Sequence, residues 1–230
     1  SVSKFCLSDY DFETRMKSIK SEKGHNEEHW KLFAELGWLA IPFAEEHGGL
    51  NGNDVDLSLM FEEFGKAIVV EPYLATVVLG GGILKRSDLE DRSKYIEEII
   101  SGESQVSLAN YEPSKGFNLG NVDCEISSDG NVNGLKTTVL NAQNAKYFVV
   151  FGKQGDGYAF ALVSKDAEGL DCTSYKTYDG FVSGDVKFNN CKAEAVFSTS
   201  NALNILEETI LDGLICISSE AVGAMEVLYK

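Results

Sequence analysis

The sequence predicts an α+β multidomain chain: an N-terminal α-helical domain over 1–103, a middle antiparallel β-sandwich or barrel over 104–200, and the first helix of a C-terminal helical bundle over 201–230. Three observations predict it. Apolar residues recur at three- and four-residue steps through the first hundred positions, as amphipathic helices require. Between 104 and 200 the pattern shortens to β-branched and aromatic runs separated by Asp-Gly and Asn-Gly pairs, which supply the positive φ of tight turns. From Asn201 the helical period returns, with Leu203, Leu206, Ile210, Leu214, Ile217, Ala221 and Met225 in step.

Taken in order, Asp9–Lys20 reads as helix. Glu27–Trp38 follows with Trp30, Phe33 and Leu36 at helical spacing, closed by Leu39-Ala40-Ile41-Pro42. Asn53 or Asp54 caps a helix whose stripe holds Leu57, Met60, Phe61 and Phe64. Val69–Leu84 is apolar all round, which places it inside the helical domain. Ser87 caps Asp88–Ile100, with acids in the first turn that complement the helix dipole, and Gly102 ends it. Strands are expected at Val106–Ala109, Val122–Ile126, Thr137–Leu140, Tyr147–Phe151, Tyr158–Val163, Leu170–Thr173, Val182–Phe188 and Ala195–Phe197. Glu112-Pro113 stops the first of them, because proline removes a donor and holds its predecessor extended. The last helix runs about 28 residues to Lys230 without a cap, longer than globular helices usually are. The expectation is that the sequence stops within a domain or that this helix packs on something outside it.

With 43% hydrophobic residues in 230, the chain can bury the cores of two domains. Its net charge of −16 is spread evenly: 20 acidic against 11 basic residues over 1–103, and 16 against 9 beyond. Such a field repels phosphate backbones and anionic lipid, which argues against nucleic-acid and membrane-surface partners. Five scattered cysteines without a CxxC spacing read as reduced thiols of a soluble cytoplasmic protein. His25 and His29, four apart, fit either a metal pair or a solvated helix face; with no further ligand nearby the solvated surface is preferred, and no metal site is assigned. Gly80-Gly81-Gly82 lacks the strand and spacing of a dinucleotide loop. No Ser/His/Asp or Cys/His arrangement emerges.

The stretch 107–153 carries the specific pattern. Glu112, Pro113, Gly116, Asn133, Gly134, Lys136, Asn141 and Ala145, with Asp185–Asn190 further on, resemble the acyl-CoA dehydrogenase family. Its middle domain opens with Thr-Glu-Pro-Gly-x-Gly-Ser-Asp and continues with Asn-Gly-x-Lys-x-Trp-Ile-Thr-Asn. The closest resemblance is to small subunits of the two-subunit, pimeloyl-CoA type, in the runs 112–119, 134–140 and 219–225. Members continue into a C-terminal bundle, so the resemblance implies that most of that domain is missing here. It implies a flavoprotein oxidoreductase of fatty-acid β-oxidation type, using FAD for α,β-desaturation of an acyl-CoA. It also implies an electron-transfer flavoprotein or similar acceptor, and a homo- or hetero-oligomer. Carried over position by position, the flavin contacts fall at Asn110, Tyr111, Thr138 and Leu140, and the substrate contacts at Gly116 and Phe117. Here Tyr111 replaces a threonine, Phe117 a serine, Thr138 a tryptophan and Leu140 a threonine. Because Leu140 cannot hydrogen-bond a flavin nitrogen, a second expectation is a non-catalytic partner subunit that has lost its flavin contacts. The family's base position on the first C-terminal helix falls at Gly213, beside Asp212. Glu207, Glu208 and Glu220 read as solvated, so no catalytic residue is assigned.

Overall fold

The computed structural model describes residues 1–229; the expected helix end at Lys230 lies outside them. The N-terminal third is helical. After α1 (Val2–Ser8), the Asp11 carboxylate accepts the Thr14 amide and starts α2 (Phe12–Lys20). Asn26 caps α3 (Glu27–Glu35), which ends before Gly37 at φ 74° instead of running to Trp38. A reciprocal Asn53–Asp56 capping box starts α4 (Asp54–Ala67), where two orphan amides find acceptors. The apolar run after Pro72 divides into a π-helical segment, Leu74–Gly80, and α5 (Gly81–Arg86). The helix expected from Asp88 begins later, as α6 (Arg92–Ile100). The Asp88 carboxylate is engaged elsewhere, accepting the Ser198 N–H at 2.6 Å.

Eight strands then form one sheet: β1 (Val106–Ala109), β2 (Glu125–Ile126), β3 (Asn131–Leu140), β4 (Tyr147–Gln154), β5 (Gly157–Ser164), β6 (Leu170–Lys176), β7 (Val182–Lys192) and β8 (Ala195–Phe197). Their order is β6-β7-β3-β2-β4-β5-β8, with β1 also on β4. Pairing is antiparallel except where β1 and β2 run parallel to β4, which the long connection through 110–146 permits. The strand expected over Val122–Ile126 shrinks to Glu125–Ile126, because the Asp123 and Cys124 amides bond the Glu112 carboxylate instead.

Strand alternation divides β4 between two cores. Tyr147, Val149 and Phe151 face a large cluster shared with the helices, including Trp38, Phe64, Ile96 and Leu206. Phe148 and Val150 face a second cluster with Val163, Val186 and Phe188. The helical domain is therefore built onto one face of the sheet. α7 (Ala202–Tyr229) returns from β8 to lie along α4, where their backbones nearly touch at Gly65 and Gly223.

Candidate functional site

The four positions expected to meet a flavin come together on two adjacent segments. Ser107 donates its hydroxyl to the Leu140 carbonyl at 2.8 Å, and the Thr137 N–H reaches the Tyr111 carbonyl at 2.9 Å. Asn110 and Tyr111 thus run beside Thr137–Leu140. A register shift between Lys136 and Val139 marks a bulge, with Thr138 at φ 53° and its N–H on the Asp185 carboxylate at 3.2 Å. Bulges of this kind re-aim a side chain at the point where pairing is interrupted. Asn110 is buried, and its Nδ2 has no hydrogen-bond partner. A buried donor left unpaired is costly, and this one is closed off inside the protein.

Glu112 and Lys136 brace the site from behind. The Lys136 side chain is fully buried and its ammonium meets Glu112 Oε1 at 2.7 Å and the Asn110 carbonyl at 3.3 Å. The same carboxylate accepts the Asp123 and Cys124 amides at 2.6 and 2.9 Å. Burial by itself raises a carboxyl; here Lys136 and the two amides outweigh it and hold Glu112 below its ordinary range. The Glu-Pro motif thus fixes the turn after β1 against β3.

Thr138 and Leu140 stand in the wall of a cavity of about 520 Å³ between the sheet and the helices. Ile68, Val70, Leu74, Phe181 and Ile217 make much of its surface apolar. Glu220, expected to be solvated, is half-buried in this wall. Burial, and after it the Asp179 carboxylate, push its pKa up. Its neighbours on α7 explain the placement: Ile217 and Ala224, three and four residues away on the same helical face, line the cavity with it.

Other expectations divide. Phe117 is 95% exposed on the loop after Pro113, and neither it nor Gly116 lines the cavity. His25 and His47 are buried, not solvated. His25 Nδ1 faces the Lys23 carbonyl and Nε2 faces Gln105, while His29 pairs with the buried Glu71 at 3.2 Å, so the two histidines share no site. Glu207 and Glu208 are exposed, as expected. Asp212 is buried and held by Arg86 at 2.6 Å. Among the described residues no cluster fit to hold a metal forms, and no helix is long and apolar enough to cross a membrane.

Residues 1–103 match the family model described as acyl-CoA dehydrogenase, N-terminal domain. That segment is similar to acyl-CoA dehydrogenase N-terminal domains. The remainder follows the same fold: the structure described as PigA with FAD and proline superposes with a TM-score of 0.88 at 21% identity, over 99% of this chain and 64% of that one. Among curated relatives, the probable acyl-CoA dehydrogenase YngJ of Bacillus subtilis (strain 168) is 32% identical over 157 residues, 63% of this chain and 41% of that protein. The L-prolyl-[peptidyl-carrier protein] dehydrogenase of Serratia sp. (strain ATCC 39006) is 25% identical over 245 aligned positions, 96% of this chain and 61% of its own length. The chain thus spans less than two thirds of each. The acyl-CoA dehydrogenase fold explains why a helical domain, a sheet and a long helix enclose one cavity.

Proposed function

We propose that this chain supplies the flavin face and acyl cavity of an FAD-dependent acyl-CoA dehydrogenase that desaturates the α,β bond of an acyl thioester. The observation that carries the reading is that Thr138 and Leu140, on the segment that runs beside Asn110 and Tyr111, line a largely apolar cavity of about 520 Å³. Asn110 and Tyr111 would meet the cofactor through the backbone beside the bulge, and Thr138 and Leu140 would cover the ring. FAD, when bound, supplies the hydride acceptor for Cβ. The cavity wall orients the chain and excludes water from it, while Gly116 and Phe117 would contact the part of the thioester that extends outside. The complete protein would work as an oligomer, with electrons leaving to an electron-transfer flavoprotein or a similar acceptor.

The test is to reconstitute the purified protein with FAD, desalt it, and record its absorbance before and after adding hexanoyl-CoA without oxygen. A retained flavin band that bleaches with substrate is expected. A protein that retains no flavin, alone or with a second subunit of its own kind, sinks the reading.

A further inference from the structure

We propose that Glu220 makes this cavity selective for acyl groups that carry a positively charged nitrogen, so that amino-acyl thioesters are preferred to plain alkyl ones. The inference rests on the acyl-thioester reading above.

Among the described residues no hydrogen bond or ion pair engages the Glu220 side chain. A carboxylate removed from water without a partner is unfavourable, and the deficit is recovered by a ligand that brings a donor to it. The other ionisable groups in the wall have partners, except that the second oxygen of the buried Glu71 carboxylate has none. Lys23 pairs with Glu27 at 2.5 Å. Both ring nitrogens of His25 have neighbours, and burial pushes its pKa down, so it stays neutral. Glu71 holds the Asn26 amide and His29. Asp179 bonds the Thr177 hydroxyl and the Phe181 amide and leaves its negative charge in the field. Among the described residues the wall therefore presents three carboxylates, with Glu220 unpartnered, Glu71 keeping one unpaired oxygen and Asp179 near Glu220, and no unpaired cation.

The backbone fixes where Glu220 enters the wall. A Cβ placed on Gly65 would lie 1.9 Å from the Glu220 carbonyl, so α7 is seated against α4 at this residue. The raised proton affinity of Glu220 fits the same account. It arises from burial and from Asp179, and an ammonium group brought beside it opposes both. A chain of net charge −16 adds a field that draws a cation in and repels a carboxylate-bearing acyl group.

The experiment is calorimetric binding of ω-amino-acyl-CoAs of four to eight carbons, each against the alkyl acyl-CoA of matched length, to the purified protein and to Glu220→Gln. At least one amino-acyl member is expected to bind wild type about 10-fold or more tightly than its alkyl match, the scale of a charge-assisted hydrogen bond. In Glu220→Gln that preference should vanish while alkyl affinity is kept, which also reports a folded variant. If the Gln variant does not fold, Glu220→Met replaces it and should shift preference to the alkyl series. No preference in wild type overturns the inference, as does a preference that survives the substitution. Equal loss of both series in a folded variant also overturns it. Failure to retain flavin would defeat the dehydrogenase reading alone, because this binding preference is measured without turnover.

Discussion

The Glu112 carboxylate has three donors on it inside the protein, so its charge state decides whether the turn after β1 stays closed on β3. Replacing it with glutamine leaves the Lys136 ammonium buried without its counter-ion. Glu112→Gln is therefore expected to cost about 3–5 kcal/mol at neutral pH, as breaking buried pairs usually does. The double variant with Lys136→Met should recover part of that loss. The pH dependence has a definite sign. A carboxyl whose folded pKa is depressed contributes stability above its unfolded value, about 4.3, and loses it as pH falls through the lower folded value. Urea unfolding at neutral and acid pH should show wild type and Glu112→Gln converging on acidification. A gap that stays constant would mean that the pair does not set the stability of this turn.

At the scale of elements, α4 and α7 approach closely enough that alanine does not fit between them. A Cβ on Gly65 meets the Glu220 carbonyl, and one on Gly223 would lie 1.9 Å from the Glu62 carbonyl. In an isolated helix, Gly→Ala is favourable by about 1 kcal/mol. Here the contact should reverse the sign, and Gly65→Ala is expected to destabilise by about 1–3 kcal/mol, the usual cost of overpacking. Chemical denaturation reads the sign directly; a stabilised variant would show that the helices separate freely. This contact also explains what was legible beforehand. The heptad-like stripe of α7 and the Asn53 cap of α4 are local patterns, and both elements were expected near their observed positions. That Glu220 would face a cavity depends on how α7 crosses α4, which no local pattern states. The same holds for His25, whose burial comes from distant Gln105. The strand expected over Val122–Ile126 lost its first three residues because two of their amides bond the Glu112 side chain, a competitor eleven and twelve residues away. The Glu-Pro and Asn-Gly-x-Lys motifs are legible in the sequence, but the ion pair joining them emerges only when β1 lies near β3.

For the whole molecule, the question is whether the helical domain and the sheet unfold as one unit. One apolar cluster runs from Phe5 and Trp38 through Val149 and Phe160 to Leu206, and polar latches cross the same boundary. Asp88 holds the Ser198 amide, the Tyr95 hydroxyl donates to Glu194 at 3.1 Å, Lys146 meets Glu98 at 2.8 Å, and Arg15 donates to the Asp179 carbonyl at 2.8 Å. A shared core of this extent ties the two parts more strongly than surface ion pairs, which contribute little singly. Unfolding should therefore be cooperative, and the residues supply separate probes for it. Both tryptophans, Trp30 and Trp38, are buried in the helical part and report its opening by fluorescence. Cys124 and Cys191 are buried in the second core of the sheet, and burial pushes the Cys124 thiol up to about 11, so both are protected while the sheet is intact. In a urea titration, the tryptophan shift and the reactivity of these two thiols to an aromatic disulfide should share one midpoint, the mark of a single transition. Thiols exposed at a lower urea concentration than the tryptophan transition would instead mean that the sheet opens first, and that the cavity wall carrying Thr138 and Leu140 separates from the wall carrying Glu220.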